Sequence, residues 1–322
     1  MQQSVMRYKY GPIAEAAGVS IATVSRVMRG DKGPSDETRQ RVMRAAQQVG
    51  YFSLAFHPRT ELLLHGDDGA EQRPFFSQLY GSIAQRARHL KLRVSLVRSP
   101  HDPAPYGVVV LGQSAFDQMP LNAYPEAPVV LVDIEDDCHD RVLTDNEHSG
   151  MLAVRHLCEV VPPEKGIAVI IGPHHNYSFR ERGRGATEAL RRMKRLTPHL
   201  IHPLNHEHTL GFQEGQRAAP WVLEHLSDIG GVFIGNDASA LGLMQSLLAA
   251  GVRIPEDLKI IGHDDELGAA QATVPLSTIR VDYRSMGQWA VDLVLYRLMD
   301  PERPAVRVML SGTLIERAST GP

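Results

Sequence analysis

Cysteine is nearly absent from this sequence: Cys138 and Cys158 are the two in 322 residues. That argues against a disulfide framework and for a reducing compartment, so a cytoplasmic protein is expected. No apolar run approaches the roughly 20 residues a spanning helix needs; the longest, such as Gly107 to Leu111 and Ile167 to Ile171, fall far short. The opening Met-Gln-Gln-Ser-Val-Met-Arg has no charged stretch followed by an apolar core, so no export signal is expected. Solenoid-length repeats and low-complexity tracts are missing, as is a heptad tail before Gly321-Pro322. So are the signatures of common chemistries: no Gly-x-Ser-x-Gly elbow, no His-Glu-x-x-His and no Gly-x-Gly-x-x-Gly after a strand. His174-His175, His206-x-His208 and His263-Asp264-Asp265 lack the spacing of a closed zinc site. Asn176-Tyr177-Ser178 is a glycosylation sequon by letters only. No catalytic residue, metal or cofactor is therefore expected, and the chain does not read as an enzyme.

What is present is an ordinary globular balance, 43% hydrophobic and 22% charged, at a length that suits two or three domains. The charge is uneven. Residues 1–52 hold eight basic and four acidic side chains, a balance of +4, which leaves −7 for the rest of a chain whose net charge is −3. A basic head on an acidic body suggests that the head meets a polyanion.

Within the head, Gly11-Pro12 predicts a helix start, with Ile13, Ala14 and Ala17 on one face and Gly18 ending it. Ser20 is placed to cap a second helix whose Val24 and Val27 face inward. Ser35, followed by Asp36 and Glu37, opens a third, with Val42, Ala45, Ala46 and Val49 as its buried face and Gly50 as its stop. Three short helices with a tight glycine turn form a helix-turn-helix. A generic three-helix cap fits the periodicity too. Against it stand the small or polar Ser20, Ala22, Thr23 and Ser25 at the start of the second helix, and Arg26 near its middle. Such a helix can approach a groove floor, and a guanidinium can pair with a guanine edge.

The run from Ile13 to Val27, continued by Val42 to Tyr51, resembles the headpiece of the lactose/galactose-repressor (LacI/GalR) family of bacterial transcription regulators. The resemblance puts Ile21, Ala22 and Arg26 at base-reading positions, and Ser20, Thr23, Ser25 and Arg29 at phosphate-contact or supporting ones. In that family the third helix is followed by Tyr-x-Pro-Asn and a hinge helix that wedges the minor groove. Here Tyr51 is followed by Phe52-Ser53-Leu54, and Pro58 falls where the hinge helix should continue. A short extended linker without the usual wedge is expected at residues 53–60.

From residue 61 short β-rich runs alternate with amphipathic helices, the pattern of α/β doubly wound parallel sheets. Expected strands are Leu62-Leu64, Arg93-Val97, Gly107-Leu111, Val129-Val132, Ile167-Ile171, Gly231-Ile234 and Leu258-Ile261. The family resemblance extends over this body. It implies a two-lobed periplasmic-binding-protein-like fold, with a first lobe at 61–162 and 284–305 and a second at 163–280 and 306–320. The stretch from Ser99 to Gly107 is short, which predicts loss of a first-lobe helix. By resemblance the effector residues are Arg182, Asn236 and Asp264, with Phe75, Phe76, Tyr283 and His206 as walls and Asp67 at the end of the first strand. Arginine, asparagine and aspartate suit vicinal hydroxyls, and aromatics suit sugar C–H faces. Asn236 and Asp264 also read as loop caps, and Phe75 and Phe76 as plain core.

These expectations describe a homodimeric repressor. Residues 1–52 bind a near-palindromic operator and 61–322 hold a sugar or sugar acid. The rival reading is a sugar-binding protein with a degenerate head.

Overall fold

The computed structural model describes residues 2–29, 31, 33–49, 61–66, 74–97, 105–119, 124, 125, 127–204 and 211–321. The linker at 53–60, expected to be short and extended without the usual wedge, lies outside the described residues.

The head is three helices, α1 (Gln2–Ala17), α2 (Ile21–Arg29) and α3 (Asp36–Gln48). α1 does not start at Gly11-Pro12 as expected. It begins at Gln2 and runs through Pro12, which lacks the N–H for one ladder bond and lies on the exposed side. Gly18, at φ +61°, ends it. The Gly18 N–H bonds to the Glu15 carbonyl and the Val19 N–H to that of Ala14, the paired closure of a left-handed helix end. Ser20 Oγ accepts from the Thr23 N–H at 3.1 Å, and Ser35 Oγ from the Thr38 N–H at 3.2 Å, as capping side chains do. Ile13, Ala17, Val24, Val27, Val42, Ala45 and Ala46 form the core. Val49, expected in it, lies beyond the last turn of α3 and is 39% exposed.

The body contains twelve named strands and eight helices among the described residues. In chain order they run β1 (Glu61–His65), α4 (Pro74–His89), β2 (Arg93–Val97), β3 (Gly107–Leu111), α5 (Gln113–Gln118), β4 (Val129–Val132), β5 (Asp140–Thr144) and α6 (Asn146–Val160). They continue with β6 (Gly166–Ile171), α7 (Tyr177–Arg192), β7 (Ile201–Pro203), α8 (Phe212–Glu224), β8 (Ile229–Ile234), α9 (Asp237–Ala249), β9 (Lys259–Ile261) and α10 (Leu267–Gln271). Last come β10 (Thr278–Arg280), α11 (Tyr283–Met299), β11 (Arg307–Leu310) and β12 (Thr313–Ile315).

A six-stranded parallel sheet, ordered β11-β5-β4-β3-β1-β2, is the centre of the first lobe. A four-stranded parallel sheet, β7-β6-β8-β9, is the centre of the second. Val108, Val109 and Val110 on β3 are wholly buried, as a strand covered on both faces must be. Nine residues separate β2 from β3, fewer than the dozen or so of a usual parallel crossover; 98–104 of them lie outside the described residues, and so does the expected loss of a helix there.

Two lobe assignments differ from expectation. β11 pairs with β5 and so completes the first sheet, although 306–320 was expected in the second lobe. α6 packs Ala153, Val154 and Leu157 on Ile167, Val169 and Phe233 of the second sheet, although the first lobe was expected to reach residue 162. Both shifts follow from burial. The apolar face of α6 finds its partners on the second sheet and on α7, and β11 closes the open edge beside β5. The chain therefore crosses between lobes near residues 145, 282 and 311.

α6 and α7 cross at glycine contacts. A Cβ on Gly150 would lie 2.1 Å from the Arg182 carbonyl oxygen, and one on Gly185 would lie 1.9 Å from that of Glu147. No larger residue fits either position, and this close crossing fixes the turn of α7 that carries Arg182.

Candidate effector cleft and DNA-reading helix

On α2 the buried stripe is Val24, Ser25, Val27 and Met28. Ser20, Ala22 and Arg26 are exposed, with Ile21 and Thr23 partly so. Ser25 departs from its expected exposed place: at 6% exposure it sits on the edge of the packed stripe, one residue from Val24 and three from Met28. The Arg26 Nε reaches back to the Ala22 carbonyl at 3.4 Å, which lays the guanidinium along the exposed face. The Arg29 side chain lies outside the described residues.

The cleft is built where strand ends meet helix starts. A cavity of about 150 Å³ is lined by Phe75, Phe76, Leu111, Gly112, Asp133, Asn176, Ser178, Phe179, Arg182, Asn236 and Asp264. Five of the expected effector residues meet here: Phe75, Phe76, Arg182, Asn236 and Asp264. Tyr283 stands directly behind, its ring edge-on to Phe75 at 5.5 Å and its hydroxyl donating to the Asp264 carbonyl at 3.2 Å. Asp67 and His206 lie outside the described residues.

Arg182 is 4% exposed and tightly held. Its Nε donates to Asn146 Oδ1 and its Nη1 to the Gly235 carbonyl, both at 2.7 Å. Its Nη2 lies 3.7 Å from Asp264 Oδ1, and Phe179 presents its ring to the guanidinium carbon at 5.5 Å. Asp264, in turn, accepts from His263 Nδ1 at 2.7 Å. Burial, reinforced by Arg182, pushes the His263 pKa down, so the ring is neutral and Nδ1 carries the proton. Its Nε2 is buried without a hydrogen-bond partner.

Asp264 has φ +118° and Asp133 has φ +58°, backbone conformations that L-residues adopt infrequently and aspartate more readily than most. Asn236 does cap α9, accepting from the Ser239 N–H at 3.0 Å, and it lines the cavity as well. Phe76 is core at 4% exposure, whereas Phe75 is only partly covered. Capping and core packing thus coexist with cavity lining.

Behind the polar floor lies a buried acid pair. Asp237 accepts from Thr278 Oγ1 at 2.7 Å and from the Glu266 N–H at 2.9 Å. Burial and then Asp264 push its pKa well above the usual carboxylate range, and the same causes push Glu266 up to about 7. Burial and then Asp264 likewise raise the Tyr283 hydroxyl, which stays a neutral donor.

Sequence reasoning missed Asp133, Asn176, Ser178 and Phe179. Ser178 Oγ donates to Asp133 Oδ2 at 2.5 Å, and Asn146 Nδ2 approaches Asp133 Oδ1 at 3.4 Å, so Asp133 ties the first lobe to the second. Asn176 Oδ1 accepts from the Ser178 and Phe179 N–H groups and caps α7. The usable signal was an Asx cap opening the helix that bears Arg182. A second tie lies outside the cavity, where Arg307 of β11 reaches across to Tyr177 Oη of α7 at 3.3 Å while pairing with Glu135 of its own lobe at 3.4 Å. Among the described residues no group of three or more His, Cys, Asp or Glu side chains could hold a metal ion. No helix of the described residues is long and apolar enough to cross a membrane.

Comparison with known proteins gives matches at both ends of the chain. The family model of bacterial regulatory proteins, lacI family, matches residues 12–53, and that of the periplasmic binding protein-like domain matches residues 165–320. The ribose operon repressor of Escherichia coli (strain K12) is 28% identical over 333 residues, covering 95% of this chain and 98% of that protein. The HTH-type transcriptional repressor PurR of Haemophilus influenzae (strain PittEE) is 26% identical, covering 89% of this chain and 90% of that protein. A LacI family transcriptional regulator from Enterococcus faecium, solved with bound ribose, superposes with a TM-score of 0.68 at 26% identity, over 82% of this chain and 99% of that one. The lac repressor dimer bound to operator and the anti-inducer ONPF shares the fold, with a TM-score of 0.70 at 23% identity over 96% of this chain and 98% of that one.

Proposed function

Because this chain belongs to the LacI family of bacterial regulatory proteins, we propose that α2 reads an operator half-site and that a sugar-like effector in the cleft modulates that binding. The protein is a DNA-binding transcription regulator of the repressor class and not an enzyme. Residues 1–52 serve as the head, 53–60 as the linker and 61–322 as the effector-binding and dimerisation body. Ile21, Ala22 and Arg26 read bases. Ser20, Thr23 and Arg29 contact phosphates, and Ser25 supports them from the edge of the core. A homodimer places two heads on a near-palindromic operator, since the symmetry of the protein is mirrored in the site. The protein works in the cytoplasm, where its operator is.

The observation that carries this reading is the division of α2 into a packed stripe of Val24, Val27 and Met28 and an open side bearing Ser20, Ala22 and Arg26. Apolar Ile21 and Ala22 favour thymine methyl groups, and Arg26 favours a guanine edge. In the cleft, Arg182, Asp264, Asn236 and Asp133 serve hydroxyls while Phe75 and Phe76 face C–H groups. An effector moves the lobes only if it binds two arrangements with different affinity. Arg26→Ala should cost about 1–3 kcal/mol at the cognate operator and relax preference at one base pair. A selection on randomised duplexes followed by titration checks it, and an equal loss on every sequence would put Arg26 on phosphate instead.

A further inference from the structure

We propose that the cleft selects a neutral, single-ring sugar and turns away sugar acids, sugar phosphates and disaccharides. This rests on the effector-site reading above and goes beyond it in naming the ligand class.

Size sets the first limit. The cavity holds about 150 Å³, and a space of about that volume accepts one small ring. Two linked rings would reach past this space toward the open side of the cleft.

Charge sets the second. The described lining holds two aspartates, Asp133 and Asp264, against one arginine, Arg182. Arg182 stands 3.7 Å from Asp264, which offsets its charge, and two of its N–H groups are spent on Asn146 and the Gly235 carbonyl. The hydrogen-bond partners of Asp133 are the neutral Ser178 hydroxyl and Asn146 amide. Among the described residues Asp133 is in no direct ion pair, so an anionic ligand would face a carboxylate not paired with a cation, and like charges brought together with little water repel.

The helix starts add a third. A helix N-terminus is an anion site when its leading N–H groups are free. Here Asn176 takes up the Ser178 and Phe179 N–H groups of α7, and Asn236 takes up the Ser239 N–H of α9. What remains suits hydroxyls: carboxylate lone pairs on Asp133 and Asp264, and the further guanidinium N–H groups of Arg182.

The test is a binding panel on the full-length protein at fixed ionic strength, read by thermal shift and calorimetry. Its members are neutral aldopentoses and aldohexoses, their uronic and aldonic acids, their phosphate esters, and disaccharides. At least one neutral monosaccharide should bind, at least tenfold tighter than its own acid or phosphate, with no disaccharide matching it. In Asp133→Asn, which keeps the shape and suits the left-handed backbone there, the gap between neutral and acidic forms should shrink at least threefold. An acid, a phosphate ester or a disaccharide binding as tightly as the neutral monosaccharide overturns the proposal and leaves the effector site standing. So does an unchanged gap in Asp133→Asn. No shift from any member overturns the effector-site reading, and this proposal with it.

Discussion

The two walls of the cleft are made differently. The second lobe supplies Arg182 from the second turn of α7 and Asn236, Asp264, Asn176 and Ser178 from helix starts or strand ends, each already hydrogen-bonded inside the protein. The first lobe supplies mainly apolar surface, Phe75, Phe76 and Leu111, with Asp133 as its one charged group in the described lining. The two walls divide the labour. Polar groups that must meet a ligand in register are costly to order at the moment of binding, so they sit on the wall where the fold has ordered them. The apolar wall needs area more than aim, and it can close over the ligand afterwards. Asp133 is the exception, and it reaches across to the ordered wall through Ser178 and Asn146.

Breaking the ordered wall should have the largest effect. Arg182→Met leaves Asn146, Asp264 and the Gly235 carbonyl without their buried donor. Loss of one partner from a buried charged pair costs about 3–5 kcal/mol. Denaturant titration should show that loss in the ligand-free protein, together with loss of ligand response. A stable variant would mean that the second lobe is not prebuilt around this side chain.

A second change should strengthen the same wall, and its pH dependence fixes the sign. Glu266 holds its proton to about pH 7 in the folded chain against 4.5 ordinarily. Between those values the unfolded chain has released a proton that the folded chain retains, so stability falls as pH rises through this window. The full penalty above it is about 3 kcal/mol. Glu266→Gln should therefore raise stability at pH 8 by up to that amount and do nothing at pH 4. Equal stability of both proteins at pH 8 would show that the burial cost of Glu266 is met elsewhere.

The smallest effect belongs to the tie between the lobes. Arg307 is 42% exposed where it meets Glu135 and Tyr177, and an exposed ion pair contributes about 0–1 kcal/mol. Arg307→Ala should leave the unfolding midpoint nearly unchanged while favouring the open arrangement. Small-angle scattering should then report a larger ligand-free particle that contracts with ligand. No expansion would confine the interlobe tie to Asp133.

The same contrast explains what was readable in the sequence. Central strands such as β3 and β6 are continuous apolar runs, because burial on both faces forbids polar residues, and each was visible. β5 begins Asp140-Arg141, β7 is Ile-His-Pro, and β11 alternates at the sheet edge. None of these three stood out, since their polar residues are neutralised by partners distant in sequence. Asp140, for instance, is wholly buried yet paired with Arg297 at 3.0 Å and Arg303 at 2.7 Å. Arg182, Asn236 and Asp264 were legible through the family resemblance. Asp133 followed a plain strand, and Asn176 and Ser178 had the letters of a sequon. Their role depends on the other lobe, which local spacing does not carry. The head shows the same boundary: its caps were readable, while the inward turn of Ser25 and the outward turn of Val49 depend on how three helices meet.

In the proposed function the basic head holds an operator and the cleft decides when it lets go. That reading is tested most directly by measuring operator affinity against salt, with and without a saturating neutral monosaccharide known to bind. Log affinity should fall steeply and linearly with log salt and, at fixed salt, a bound sugar should change affinity by about 5–150-fold. Salt-independent binding, or an operator affinity unmoved by a bound sugar, would contradict it.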